Sequence, residues 1–228
     1  MAVVLETPRL LALAPKRRDQ LYRSITMVAQ TDCGAMGWRP TIIGEEHIPA
    51  AGPAIIAVNH VGYLDFVFVG LAARRRRRLV RFMAMQEAFN HWPAGPLLRG
   101  MRHIPVDRQG DVGAALDGAI QALREGEIVG IHPEGKVNRS MVLGPGKTGA
   151  ARMALATGAP LIPAAVWGTQ RLLAKGAKRR LPRNVPVTVC LGAPLDPAEA
   201  ESPGDLTERL MDGIRLLWRD AVVTYPQG

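Results

Sequence analysis

Apolar positions along the chain fall into two kinds of run. Short continuous runs bounded by Gly, Pro or charge occur at "AIIAV" (54–58), "LVRFMAM" (79–85), "HIPV" (103–106), "EIVGIH" (127–132), "PLIPAAVW" (160–167) and "VPVTVCLG" (185–192). Their length and β-branched content read as strands, mostly buried. Between them the apolar spacing changes to three and four. Val112, Leu116, Ile120 and Leu123 share one helical face behind a cap at Asp111 and stop near Gly126. A second helix fits 147–157. A third fits 203–222, with Ser202 as cap, Pro203 in the first turn, Asp205 three residues on from the cap, and Leu206, Leu210, Ile214 and Leu217 turned inward. Residues 16–30 carry Leu21, Ile25 and Val28 at helical spacing behind a basic end. Strands alternating with helices predict one α/β domain over 1–228: a helical arm over 1–40, then a core over 41–228 whose mixed, largely parallel sheet is flanked by helices. Such sheets collect ligands beyond the carboxyl ends of their strands. His60, Arg108 and Glu134 each follow a predicted strand, so one rim can hold all three.

Composition narrows the partners. The two cysteines, Cys33 and Cys190, have no CxxC or Cys/His spacing, which argues against a disulfide framework or structural zinc and for a reducing compartment. The longest apolar run, "FVFVGLAA", is far shorter than the roughly 18 residues of a spanning helix. The first residues lack a basic n-region, so no secretory signal is expected. A net charge of +9 favours polyanions: nucleic acid, an anionic bilayer or phosphorylated small molecules. The run Arg74–Arg78 is either a solvated, self-repelling loop or part of a functional surface. Three Tyr and four Phe, none interleaved with basic residues, disfavour nucleic acid.

The chemistry-bearing residues are few. His60 and Asp65 lie five apart, about 140° on a regular helix, so they meet only if His60 sits in the turn before a helix and Asp65 in its first turns. Asp65 would then fix the ring's tautomer, leaving the other nitrogen to accept a proton; the alternative is a capped helix start with a structural histidine. Arg108, before a helix start, is a phosphate ligand or an ordinary surface arginine. Glu134 lies in a Pro-Glu-Gly turn with Lys136 and Arg139 behind it, suited to a hydroxylated, phosphorylated head group or to a salt-bridged turn. His132 reads as packed. "GPGKTGAAR" imitates a phosphate-binding loop, but that pattern needs glycine where the chain has Met141, so nucleotide hydrolysis is excluded and Lys147 stays as an anion contact. No G-x-S-x-G is present and neither cysteine has an activating context, which disfavours a covalent acyl-enzyme. Direct attack by a substrate hydroxyl remains.

Four segments in order resemble the blocks of the glycerolipid acyltransferase family, of the lysophosphatidic-acid acyltransferase type: "NHVGYLD", "IPVDR", "HPEG" and "LIPAAVWG", spanning 59–168. The stretch "NRSMVLGPGKTGAARMA" is similar to an actinobacterial-type branch. The resemblance implies a glycerol-phosphate acyltransferase-like fold and transfer of a fatty acyl group from acyl-CoA or acyl carrier protein to a lysophospholipid hydroxyl, first of all that of 1-acylglycerol-3-phosphate. It implies His60 as base and Asp65 as its support. Arg108, Glu134 and Gly135 would bind the glycerol phosphate, joined by Lys136 and Arg139, with Pro163 shaping the acyl-donor side. Neither metal nor cofactor is implied, and the setting would be peripheral, on the cytoplasmic membrane face, with the N-terminal helix and Arg74–Arg78 as contacts. The third block departs from the usual Phe-Pro-Glu-Gly-Thr-Arg-Ser: His132 replaces the aromatic, Lys136 the threonine and Val137 the arginine. Two further readings follow: another acceptor, either a different lysophospholipid or a mannosylated glycolipid, or a non-catalytic polyanion- or membrane-binding protein.

Overall fold

A computed structural model describes residues 19–107, 112–138, 142–172 and 182–225. Seven strands form one sheet: β1 (Pro40–Ile43), β2 (Ala54–Val58), β3 (Val80–Met85), β4 (Ile104–Val106), β5 (Ile128–Ile131), β6 (Leu161–Trp167) and β7 (Val187–Leu191). Their order is β1-β7-β6-β2-β5-β3-β4. All neighbours are parallel except β6 and β7, so β1 and β7 run against the other five. The sheet is therefore mixed and largely parallel.

The central strand β2 is buried along its whole length, as its unbroken apolar run requires. Its alternation divides the core. Ala54, Ile56 and Val58 join the cluster around α2 (Asp65–Arg75), with Phe68, Val69 and Trp38. Ile55 and Ala57 face the cluster of α5 (Val112–Arg124), α6 (Gly149–Thr157) and α7 (Pro203–Thr224), with Leu123, Met153, Leu206, Leu210 and Ile214. The α7 start follows its sequence signature: Ser202 Oγ accepts from the Asp205 N–H at 3.1 Å, and Asp205 Oδ2 accepts from the Glu201 N–H at 3.1 Å.

Besides α2, which the apolar pattern left unread and only the His60–Asp65 spacing called for, three elements escape the hydrophobic pattern. β1 has only four residues. The other two, α3 (Gln86–Asn90) and α4 (Ala94–Gly100), are too short for a helical period to emerge. The predicted arm helix is α1 (Gln20–Ala35), which packs Tyr22 with Phe89, Leu98 and Met101 and hydrogen-bonds the Val80 carbonyl through the Tyr22 hydroxyl. The predicted cap Asp111 lies outside the described residues.

The arginine run is not a free loop, although Arg75 and Arg77 remain exposed. Arg74 and Arg75 form the last turn of α2 and bond Gln30, Thr26 and Glu45. Arg76 donates to the Ile48 carbonyl, and Arg78 donates to the carbonyls of Pro49, Gly52 and Gly126 at 2.8, 2.6 and 3.0 Å. Four of the five guanidinium groups thus tie the chain to itself.

Candidate active site

The loop between β2 and α2 carries His60, and α2 opens on Asp65. The carboxylate folds that loop back on itself: Asp65 Oδ2 accepts from the Val61 and Gly62 N–H groups at 2.9 and 3.0 Å. It also accepts from His60 Nδ1 at 2.8 Å. This is the arrangement that the five-residue spacing permits only with His60 ahead of the helix. Asp65 is fully buried, while 17% of the His60 side chain remains exposed. With Nδ1–H held by the carboxylate, the neutral ring keeps Nε2 bare.

His132, expected only to pack, lies face to face with His60: the ring centroids are 3.9 Å apart and the planes 12° from parallel. Its Nδ1–H points at the carbonyl oxygens of Val58 and Asn59, at 3.0 and 3.1 Å. Burial, reinforced by the neighbouring His60, lowers its pKa to about 4, so it stays neutral under His60 at pH 7. Asn59 pins the same loop to β6: its Oδ1 accepts from the Val166 N–H at 2.7 Å and its Nδ2 donates to the Val166 carbonyl at 3.1 Å.

Glu134 lies beside the pair, buried, in the turn after β5. Oε1 accepts from the His60 backbone N–H at 3.2 Å; Oε2 accepts from Asn138 Nδ2 at 2.6 Å and from the Gly144 N–H at 3.2 Å. Both oxygens are therefore engaged within the protein, so the carboxylate ties loops together rather than standing open to a head group. Gly135 has φ +70°, and a side chain there would meet the Lys147 methylene and amine at 3.2 Å. Lys147 thus lies over the turn, with Lys136 exposed next to it. Arg108 and Arg139 lie outside the described residues. Pro163 is buried in β6, its ring carbons 3.0–3.2 Å from where side chains at Gly192 and Gly213 would begin. It is a core contact under α7.

Among the described residues, His60, Asp65 and His132 bring one potential metal-ligating atom each within 4.8 Å of one another. Asp65 Oδ2 already takes three N–H donors, and His132 Nδ1 faces two carbonyls, so these two atoms are engaged within the protein.

The acyltransferase family model matches residues 39–167, from β1 to the end of β6. The chain belongs to the acyltransferase family. It is 34% identical over 127 residues to the 1-acyl-sn-glycerol-3-phosphate acyltransferase of Bacillus subtilis (strain 168), covering 56% of this chain and 62% of that protein. It is 30% identical over 142 residues to the protein of the same name from Borreliella burgdorferi, covering 61% of this chain and 55% of that one. The chain thus matches under two thirds of the length of these curated relatives. The crystal structure of the 1-acyl-sn-glycerophosphate (LPA) acyltransferase PlsC from Thermotoga maritima superposes with a TM-score of 0.73 at 20% identity, over 95% of this chain and 86% of that one, which shows the fold. Within this acyltransferase fold the first and third blocks meet at His60, Asp65 and Glu134, and the fourth block meets the first through Asn59.

Proposed function

We propose that this acyltransferase moves a fatty acyl group from an acyl thioester, acyl-CoA or acyl carrier protein, to the free hydroxyl of 1-acylglycerol-3-phosphate. The observation that carries the reading is the His60–Asp65 bond of 2.8 Å, with the carboxylate sealed and the ring part-exposed. His60 Nε2 takes the acceptor's hydroxyl proton while the oxygen attacks the thioester carbonyl carbon. The tetrahedral adduct collapses, the C–S bond breaks, and the departing thiolate takes the proton from His60. The names of both curated relatives support the acceptor, and Lys147 and Lys136 beside the Glu134–Gly135 turn supply positive charge for its phosphate.

Among the described residues no helix is long and apolar enough to cross a membrane. The enzyme works peripherally, on the cytoplasmic face. Contact falls to the exposed apolar side chains Leu21, Met27 and Val28 of α1, to Trp92, 84% exposed before α4, and to the exposed Arg75 and Arg77 of the arginine run. Equal binding to anionic and neutral liposomes would remove the electrostatic part of this reading.

The test is thiol release from acyl-CoA and from acyl carrier protein, with 1-acylglycerol-3-phosphate set beside other lysophospholipids and a mannosylated glycolipid. Turnover dependent on the lysophosphatidate is the expected result. Preference for another acceptor moves the substrate, and no turnover with any pair overturns the enzymatic reading.

A further inference from the structure

The catalytic carboxylate has a fourth partner far away in sequence. Thr169, 104 residues after Asp65, donates its hydroxyl hydrogen to Asp65 Oδ1. Thr169 is fully buried. It opens the 3-10 turn after β6, entered through Gly168 at φ +103°. The approach is close: a side chain at Gly62 would meet the Thr169 carbonyl carbon and oxygen at 2.7 Å. The turn after β6 and the His60 loop are therefore pressed together, and the Thr169 hydroxyl is the polar link between them. It supplies Oδ1 with a donor while Val61, Gly62 and His60 Nδ1 crowd Oδ2.

We propose that Thr169 is a positioning residue of the acyl transfer, holding the Asp65 carboxylate in the one rotation that presents Oδ2 to His60 Nδ1. A carboxylate turns about its Cβ–Cγ bond through a broad, two-fold well. With bonds on Oδ2 alone, rotation can share the N–H donors between the two oxygens. A donor anchored on Oδ1 by β6 prevents this. The ring then keeps its proton on Nδ1 and offers Nε2 to the acceptor hydroxyl. A buried carboxylate also needs its remaining lone pairs satisfied, which the hydroxyl does without adding a charge.

This inference rests on His60 being the base, so one readout is chosen to be independent of turnover. Thr169→Val removes the hydroxyl and keeps the shape; Thr169→Ser keeps the hydroxyl. The expected result for Thr169→Val is a kcat lower by about tenfold, a fraction of the loss of a whole general base, with KM for both substrates unchanged. Thr169→Ser should stay within about threefold of wild type. In parallel, ¹⁵N NMR of the His60 ring should report a single Nδ1–H tautomer in wild type and Thr169→Ser, and a mixture in Thr169→Val. Wild-type kcat in Thr169→Val overturns the proposal, as does an unchanged tautomer, or a Ser variant as impaired as Val. Should Thr169→Val fail to fold, the Ser variant and Thr169→Cys, a weaker donor of similar size, give the same ordering. If no turnover is found in any protein but the tautomer follows the hydroxyl, Thr169 still positions Asp65 and only the reaction assignment fails.

Discussion

Two imidazoles in this molecule receive opposite treatment. His60 gives its Nδ1–H to a buried carboxylate and keeps part of its ring in the open. His103, at the start of β4, is buried among Tyr22, Phe66 and Phe82, whose rings meet it edge to face. Its Nδ1 accepts from the Phe82 N–H at 3.0 Å, which fixes the proton on Nε2, and Nε2 has no hydrogen-bond partner. Burial, with the Arg81 charge behind it, lowers its pKa to about 3. A carboxylate and an opening to solvent give one ring a fixed proton and a bare, reachable nitrogen; an apolar shell without a carboxylate makes a packing element of the other.

The largest effects test the first half of that contrast. His60→Ala and Asp65→Asn should each lower kcat by at least about 10²-fold, the usual contribution of a general base, with circular dichroism unchanged for His60→Ala. A fully active, folded His60→Ala would break the comparison at its centre.

The second half is a pH prediction. A histidine whose folded pKa lies below its unfolded value of 6.5 binds its proton more tightly in the unfolded chain. Stability is then complete above pH 6.5 and falls as pH drops toward 3. Between pH 6.5 and 4.5 the loss from His103 is about 2–3 kcal/mol. Urea unfolding at the two pH values measures this loss together with that of His132, whose pKa is also lowered, and the His103 share is the amount by which His103→Asn, which can still accept from the Phe82 N–H, loses less on acidification. An equal loss in the variant would assign the acid sensitivity elsewhere.

A smaller effect extends the burial rule to a cation. Arg78 satisfies three carbonyls, and desolvation lowers its pKa. Arg78→Ala should destabilise by about 1–3 kcal/mol through orphaned carbonyls while leaving kcat unchanged, checked by denaturant melts and thiol release.

The core strands were legible because burial on both faces writes itself as unbroken apolar runs. The end of α5 and the start of α7 were legible because caps and stops are local. β1 was not, since a four-residue edge strand leaves no period, and α3 and α4 were not, for the same reason. At the site, the spacing of His60 and Asp65 said only that the two meet if His60 precedes a helix, which they do; their roles came from the resemblance. The stack of His132 on His60 and the tie from Thr169 were not legible, because each depends on where β5 and β6 set down their last residues. The arginine run was legible only in part, because composition records charge but not the carbonyls that Arg76 and Arg78 bond. Glu134 looked like a ligand-binding carboxylate, since a sequence does not show that the backbone has already claimed both oxygens.

That claim on Glu134 has mechanical weight. One side chain grips the chain at 60, 138 and 144, so the segments around the turn cannot shift independently. A displacement of Gly144 is therefore passed, through one side chain, to the peptide that carries His60.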